Sequence, residues 1–259
     1  MNSRMLIKIG GRAFEGQDGF RELAEAIKTH HYTDVMIVHG GGKEISTALK
    51  SANRETKFID GIRVTQAEDI KIVEAVLSET VNRRIASQLE LFGIECQRMS
   101  GRTDGLFMVR PLERNGRDYG YVGEIHQVNA DVVLDALKKN QVPVISPISA
   151  DENGHSYNVN ADSAASALAV ATQCTDLMYL TDVPGVCVGE ETQECLSVRE
   201  ADRLIADGTI KGGMVTKMES AFEAINGKVS RVHITCWEGP ETFNLLLNRS
   251  SDTATIIEQ

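Results

Sequence analysis

No C-x-x-C pair occurs in the sequence, and its five cysteines (Cys96, Cys174, Cys187, Cys195 and Cys236) are odd in number. That pattern argues against a disulfide framework and a thiolate zinc site, and it suits a reducing compartment. No apolar run is long enough to span a bilayer, and Met1 to Met5 lead into a strand-like run with no leader pattern. A cytoplasmic protein with no membrane partner is expected. Positive charge is in deficit: 27 Lys and Arg stand against 37 Asp and Glu, a net charge of −10. Such a surface repels nucleic acid, so no nucleic-acid partner is expected. An acidic chain that binds an anion must build a local positive pocket, which gives weight to any lysine beside a glycine loop. Two nucleotide signatures are also missing. No G-x-x-x-x-G-K-[ST] stretch occurs, and no G-x-G-x-x-G follows the first strand. The second absence counts against a nicotinamide oxidoreductase.

What is present is an alternation of strand and helix patterns over 259 residues, a length that suits one large α/β unit or two fused lobes. Residues 5–9 form an apolar run ending at Gly10-Gly11, and 35–38 a second one ending at His39-Gly40-Gly41-Gly42. Helical spacing follows each, at 20–27 and 44–49, so β-loop-α occurs twice in about fifty residues. A long helix is predicted over 67–91, with Val73, Val76, Leu77, Val81, Ile85 and Leu89 on one stripe. Paired strands are predicted at 106–110 and 119–127, and buried strands at 142–148, 176–180 and 231–235. Helices are predicted at 130–139, 162–171, 198–205 and 214–225. There is no repeat, low-complexity tract or linker, and a lobe boundary is placed near residue 172.

Glycine lets backbone N–H groups approach a phosphate, and a helix N-terminus adds its positive end. Gly10-Gly11, Gly40-Gly41-Gly42 and Gly212-Gly213 all lie where strand meets loop or loop meets helix. Tight turns alone explain any one of them; three together point to an anion. Lys8 interrupts an apolar strand, where an ammonium is costly unless it meets anions. The plainer reading is an edge strand with Lys8 in water. Lys217 lies one turn into the helix after Gly212-Gly213, leaning back toward its N-terminus; alone, it reads as a solvated surface lysine. In Asn158-Val159-Asn160-Ala161-Asp162, Asn160 suits an N-cap. Asp caps helices as well, so Asp162 reads either as part of that capping segment or as a group that orients two lysines, and Asn158 as a candidate to bind a substrate. Arg63, after a turn and before a helix, suits bidentate recognition of a carboxylate, against an ordinary surface arginine.

Together these segments resemble the amino-acid kinase family. The matching stretches are 7–11, 38–42, 60–65, 121–124 (Tyr-Val-Gly-Glu), 158–162, 181–185 (Thr-Asp-Val-Pro-Gly) and Gly212-Gly213-Met214 with Lys217, in the family's order. The segments around Arg63 and Asn158 are similar to those of members acting on N-acetyl-L-glutamate. The member acting on carrier-bound aminoadipate differs around the arginine. The resemblance implies a three-layer αβα sandwich around an open, mainly parallel sheet. An N-terminal lobe of about 1–172 would hold the acyl amino acid, and a C-terminal lobe of about 173–259 the nucleotide.

The resemblance also implies roles. Lys8 and Lys217 would stabilise the transferred phosphoryl group, with Asp162 positioning both. Gly10, Gly11 and Gly41 would offer N–H groups to phosphates. Arg63, Asn158 and Gly42 would hold the amino acid. Asp182, Val183, Gly185, Lys211 and Met214 would line the nucleotide site. The implied reaction is ATP-dependent phosphorylation of a side-chain carboxylate in arginine biosynthesis, with Mg²⁺ arriving on ATP rather than at a protein metal site. A carboxylate acceptor is already ionised at neutral pH, so no general base is needed. Arginine-inhibited members carry an extra N-terminal helix that joins dimers into a hexamer. About four residues precede the first strand here, so the expectation is a homodimer without that control. Two stretches depart from the family: Gly101-Arg102-Thr103-Asp104-Gly105, and the tail from Ser250, which lacks the usual glycine before the last strand. Another amino-acid kinase, or a non-catalytic ligand-binding relative, is the alternative; loss of Lys8, Asp162 or Lys217 would mark the latter, and all three are present.

Overall fold

In the strand Arg4–Ile9 every residue after the first is buried, because the strand is covered on both faces. Leu6 packs in one apolar cluster, while Met5, Ile7 and Ile9 pack in another across the sheet. The neighbouring strand Asp34–His39 divides likewise, with Met36 and Val38 on one face and Val35 and Ile37 on the other. This period of two places a helical layer against each face, which is the expected three-layer αβα sandwich. The chain is described here from a computed structural model, over residues 3–10, 16–29, 34–243 and 254–259.

The central sheet has eight strands. In spatial order they are Cys195–Ser197, Ala254–Glu258, Arg231–Thr235, Asp176–Leu180, Arg4–Ile9, Asp34–His39, Val142–Ser146 and Cys96–Ser100. The last six run parallel; Ala254–Glu258 is antiparallel to Arg231–Thr235 and parallel to Cys195–Ser197. From Arg4–Ile9 the earlier part of the chain builds one side of the sheet and the later part the other. The strand order therefore reverses here, and a crevice opens beyond the carboxyl ends of the strands. Gly10 N–H donates to Leu180 O at 3.0 Å and Gly40 N–H to Ile9 O at 2.9 Å, so three strand ends are laced together at that point. The helices Ala161–Ala171 and Gly213–Asn226 pack on the face carrying Leu6; Gln17–Thr29 and Asn82–Leu91 pack on the other.

Several predicted elements need correction. The strand expected over 142–148 is two strands, Val142–Ser146 in the central sheet and Ile148–Ala150 in a separate four-stranded sheet. Pro147 lies between them, and its missing N–H cannot continue a ladder. The second strand of the predicted 106–127 pair begins at Gly123, not Tyr119. Arg63 follows a turn and precedes the helix that begins at Ile70, as expected, but it sits in a strand the sequence did not show: Ile62–Val64, which pairs with Lys57–Ile59 as a hairpin. Asp60 and Gly61 both have positive φ, the backbone that a two-residue hairpin turn requires. The long helix starts at Ile70 and widens to a π-helical stretch, Ala75–Val81, before Asn82–Leu91. No helix of the described residues is long and apolar enough to cross a membrane.

Candidate active site

Lys8 is on the penultimate residue of its strand, so its side chain emerges at the rim where the sheet order reverses. Asp162 is the second residue of the helix Ala161–Ala171. That helix is started by Asn160, whose side chain accepts from Asp162 N at 2.7 Å and Ser163 N at 3.4 Å, as its residue type predicts. Lys217 is in the first turns of Gly213–Asn226. The fold brings all three together. Lys8 Nζ lies 2.8 Å from Asp162 Oδ1 and Lys217 Nζ 2.9 Å from Asp162 Oδ2. Their exposures are 8, 7 and 8% for Lys8, Lys217 and Asp162, which rules out the edge-strand and surface readings. Asp162 Oδ1 takes no well-aligned hydrogen bond, so Lys8 is held there by charge more than by direction.

Burial alone pushes the Asp162 carboxyl up, but the charges of Lys8 and Lys217 outweigh it and hold the group at about 2. Burial, together with the Lys8 charge, pulls the Lys217 ammonium below its usual range, and Asp162 opposes that shift. Two ammonium groups around one carboxylate leave an excess positive charge at the rim, which suits a transferring phosphoryl group. A Cβ at Gly10 would collide with Lys8 Nζ, so the absence of a side chain there gives the ammonium its path.

Beside the lysines, the loop Gly40-Gly41-Gly42 enters the helix Gly42–Ser51. A Cβ at Gly41 would lie 2.7 Å from Leu77 Cδ2, so the loop sits flush on the π-helical stretch. The loop is anchored by His39, which is fully buried. Its Nδ1 lies 2.9 Å from Gly40 O and its Nε2 3.1 Å from Asn82 Nδ2. These partners call for N–H on Nδ1 and a lone pair on Nε2. Burial agrees, pulling the imidazole pKa down to about 4 and keeping the ring neutral. Asn82 Oδ1 in turn accepts from Arg98 Nε at 3.0 Å. The crevice over these glycines has a volume of about 320 Å³ and includes Gly10 and Asp182 in its lining; a wider cavity shares Phe20, Lys43, Glu44 and Arg84 with it.

Arg63 crosses from the hairpin to the same glycine loop. Its Nη2 donates to Gly42 O at 2.8 Å and Ser46 Oγ at 2.9 Å, and its Nη1 to Thr56 Oγ1 at 3.3 Å. All of these described partners are neutral oxygens around a buried guanidinium. Asn158 Nδ2 donates to Thr65 Oγ1 at 3.2 Å, just past the end of the strand that carries Arg63. Of the predicted acceptor residues, Gly41 and Gly42 line the crevice, Arg63 is bonded to Gly42, and Asn158 is joined to the segment after Arg63 through Thr65.

The predicted nucleotide residues are more dispersed. Asp182 is exposed at the crevice, accepting from Thr181 Oγ1 at 3.2 Å, and its charge reaches Lys217. Val183 is exposed next to it. Gly185 is buried for packing: a Cβ there would meet Thr255 Oγ1 at 2.5 Å. Lys211 is exposed before the helix of Lys217, and Met214 packs half-buried against the core. Gly11 lies outside the described residues, as does the tail before Ala254. Sequence reasoning missed Tyr179, whose ring lies under Lys217, and Phe58, whose ring lies against Arg63. A tyrosine inside the aliphatic run 177–180 was a signal of the same kind as Lys8 in 6–9.

The chain belongs to the amino acid kinase family, whose model matches residues 3–236. Within that family its relatives include acetylglutamate kinases. The acetylglutamate kinase of Sulfurovum sp. (strain NBC37-1) is 38% identical, over 99% of this chain and 92% of that protein. That of Halothermothrix orenii is 36% identical, over 88% and 82%. Among solved structures, smu.665 from Streptococcus mutans UA159 superposes with a TM-score of 0.82 at 28% identity, over 100% of this chain and 99% of that one.

Proposed function

We propose that the protein transfers the γ-phosphoryl group of ATP to the side-chain carboxylate of N-acetyl-L-glutamate, giving N-acetyl-L-glutamyl 5-phosphate, an early step of arginine biosynthesis. The observation that carries this is the pair of lysines closing on buried Asp162 beside a glycine loop, with the buried Arg63 facing neutral oxygens nearby. The acceptor needs no deprotonation. Its carboxylate oxygen bonds to the γ-phosphorus as the bond to the β–γ bridging oxygen breaks and ADP leaves. What the protein must supply is alignment and charge neutralisation. Lys8 and Lys217 meet the equatorial phosphoryl oxygens, and Asp162 sets the distance between them. The N–H of Gly41 is assigned to phosphate, and Gly11, outside the described residues, is given the same part by the resemblance alone; the Gly10 N–H, expected to join them, is already donated to Leu180 O, so Gly10 serves by leaving room for Lys8. Arg63, with Asn158 and Gly42, grips the backbone carboxylate and amide of the acceptor.

Asp182, Val183, Lys211 and Met214 border the nucleotide, and Gly185 supports their loop from below. Both Asp162 oxygens are committed to ammonium groups, which favours Mg²⁺ held by phosphate oxygens and water over a protein-held ion. Mg²⁺ so held supplies charge neutralisation on the phosphates. The acceptor falls to a lobe of about 1–172 and the nucleotide to about 173–259. A cytoplasmic homodimer fits this reading, and Cys96–Ser100, at one edge of the central sheet, is a strand to which a second copy could be added. The test is ADP release from Mg·ATP with hydroxylamine present to trap an acyl phosphate. Hydroxamate that depends on N-acetyl-L-glutamate is expected; turnover with aminoadipate-type acceptors alone, or with none, would overturn the assignment.

A further inference from the structure

On the face that carries Lys8, the strand Asp176–Leu180 presents Tyr179, the register partner of Lys8. Leucine would fill such a position without a hydroxyl to satisfy, so a fully buried tyrosine there calls for a reason. Both ends of Tyr179 are in use. Lys217 Nζ sits over its ring, 4.9 Å from the centroid, within the range of a cation–π contact. Its hydroxyl lies 2.8 Å from Ser166 Oγ and 3.3 Å from the carbonyl oxygen of Asp162. Ser166 Oγ donates onward to Ser220 O. Ser166 is on the helix of Asp162 and Ser220 on the helix of Lys217. One side chain thus touches the ammonium itself and ties together the two helices that bring ammonium and carboxylate into contact.

We infer that Tyr179 is a positioning residue for phosphoryl transfer, its ring fixing the Lys217 ammonium and its hydroxyl holding the helices of Asp162 and Lys217 in register. The inference rests on the phosphoryl-transfer reading above. Asp162 fixes the ammonium at one point, and a single charge contact leaves it free to swing about that point. The ring supplies the second point. Its quadrupole attracts the cation at little desolvation cost, which a carboxylate in the same place would not match. Burial and the nearby Asp162 charge raise the Tyr179 phenol well above its ordinary range, so it remains neutral while Lys217 is charged.

The contact has a signature in pH. The charged groups facing Lys217 are Asp162 on Ala161–Ala171, Lys8 on Arg4–Ile9 and Asp182 on the loop after Asp176–Leu180. Lys8 disfavours the ammonium; Asp162 and Asp182 favour it, and so does the ring. Removing the ring destabilises protonated Lys217, lowers its pKa, and moves the alkaline limb of kcat to lower pH.

The experiment compares Tyr179→Phe and Tyr179→Leu by hydroxamate formation across pH, with thermal melts alongside. Tyr179→Phe keeps the ring, and is expected to hold kcat within about threefold with the alkaline limb in place. Tyr179→Leu is expected to lower kcat about tenfold and to move the limb down by roughly half to one pH unit, with both KM values little changed. A leucine variant with wild-type kcat and limb would overturn the inference, as would equal losses in both variants with the limb unmoved. If the leucine variant does not fold, phenylalanine and pentafluorophenylalanine at 179 replace it. Fluorination keeps the ring and reverses its quadrupole, so activity must fall at unchanged melting temperature; equal activity overturns the inference. Failure of the underlying reading is distinguishable, because wild-type protein would then form no hydroxamate.

Discussion

Phe58 and Arg63 face each other across the hairpin as register partners, and the phenyl ring centroid lies 4.8 Å from the guanidinium carbon. The ring covers one face of the guanidinium, while Gly42, Ser46 and Thr56 take donors along its edge. Both Nη2 donors are taken by these partners, so the donors left for an acceptor carboxylate are Nε–H and one on Nη1. Arg63→Lys keeps the charge and loses the planar set of donors, since an ammonium is a point donor. We expect KM for the acceptor to rise about 30-fold, with kcat changed by less than about fivefold. Initial rates at varied acceptor concentration measure the split; an unchanged KM would remove Arg63 from the acceptor site.

Lys8 and Lys217 share Asp162, so the three should behave as a unit. Lys8→Ala is expected to lower kcat about 10² to 10³-fold. Adding Lys217→Ala should cost far less than a second loss of that size, because one partner of a joint clamp is already gone. Multiplicative losses in the double variant would show that the lysines act independently.

Asp162→Asn leaves two buried ammonium groups without their counter-charge. Removing one partner from a buried ionic cluster typically costs about 3–5 kcal/mol. A fall in urea midpoint is expected together with the loss of activity, and equal midpoints at neutral pH would contradict the burial argument.

Gly10→Ala separates folding from function in the opposite sense. The added Cβ collides with the end of the flexible Lys8 side chain. The side chain can move aside, so the thermal midpoint should shift little while kcat falls about tenfold or more. A variant with wild-type kcat would show that Lys8 reaches its place by another path.

His39 makes stability depend on pH. Its folded pKa is about 4, against 6.5 for the free side chain. Between those values the unfolded chain binds a proton that the folded one does not, so stability rises with pH. The contribution is fully present above about 6.5 and is lost as pH falls through about 4, on the order of 3 kcal/mol in all. Asp162 adds a similar loss lower down, as pH falls from 3.8 toward about 2. Urea midpoints from pH 7 to pH 4 should fall more steeply for the wild type than for His39→Asn; parallel curves would refute the neutral, buried imidazole.

Much of this site was legible because burial and charge conflict visibly in a sequence. Lys8 in an apolar strand has few explanations, and the one that holds is a buried anion. Asn160 as a helix cap was equally readable, since its side chain answers a local need of the backbone. The hairpin of Arg63 was missed although Asp60-Gly61 is a strong two-residue turn signal; its strands are too short for an alternating pattern to show. The break at Pro147 was obscured by the apolar run around it, which reads as one strand until the two sheets are known. The contact of Tyr179 with Lys217 joins residues far apart in sequence, and no local pattern carries it.

Gly185 rests against Thr255, whose Oγ1 also accepts from Val186 N at 2.8 Å. A loop at the mouth of the crevice is thus seated on a residue made seventy positions later. During synthesis the contacts among Gly42, Arg63, Thr65 and Asn158 can form while the ribosome is still at work. The Asp182 loop must wait for the strand Ala254–Glu258 to slide between its two neighbours in the sheet. The seating of this loop therefore comes late in the life of the nascent chain, and a translation product stopped before Ala254 would carry the lysines and lack the seat.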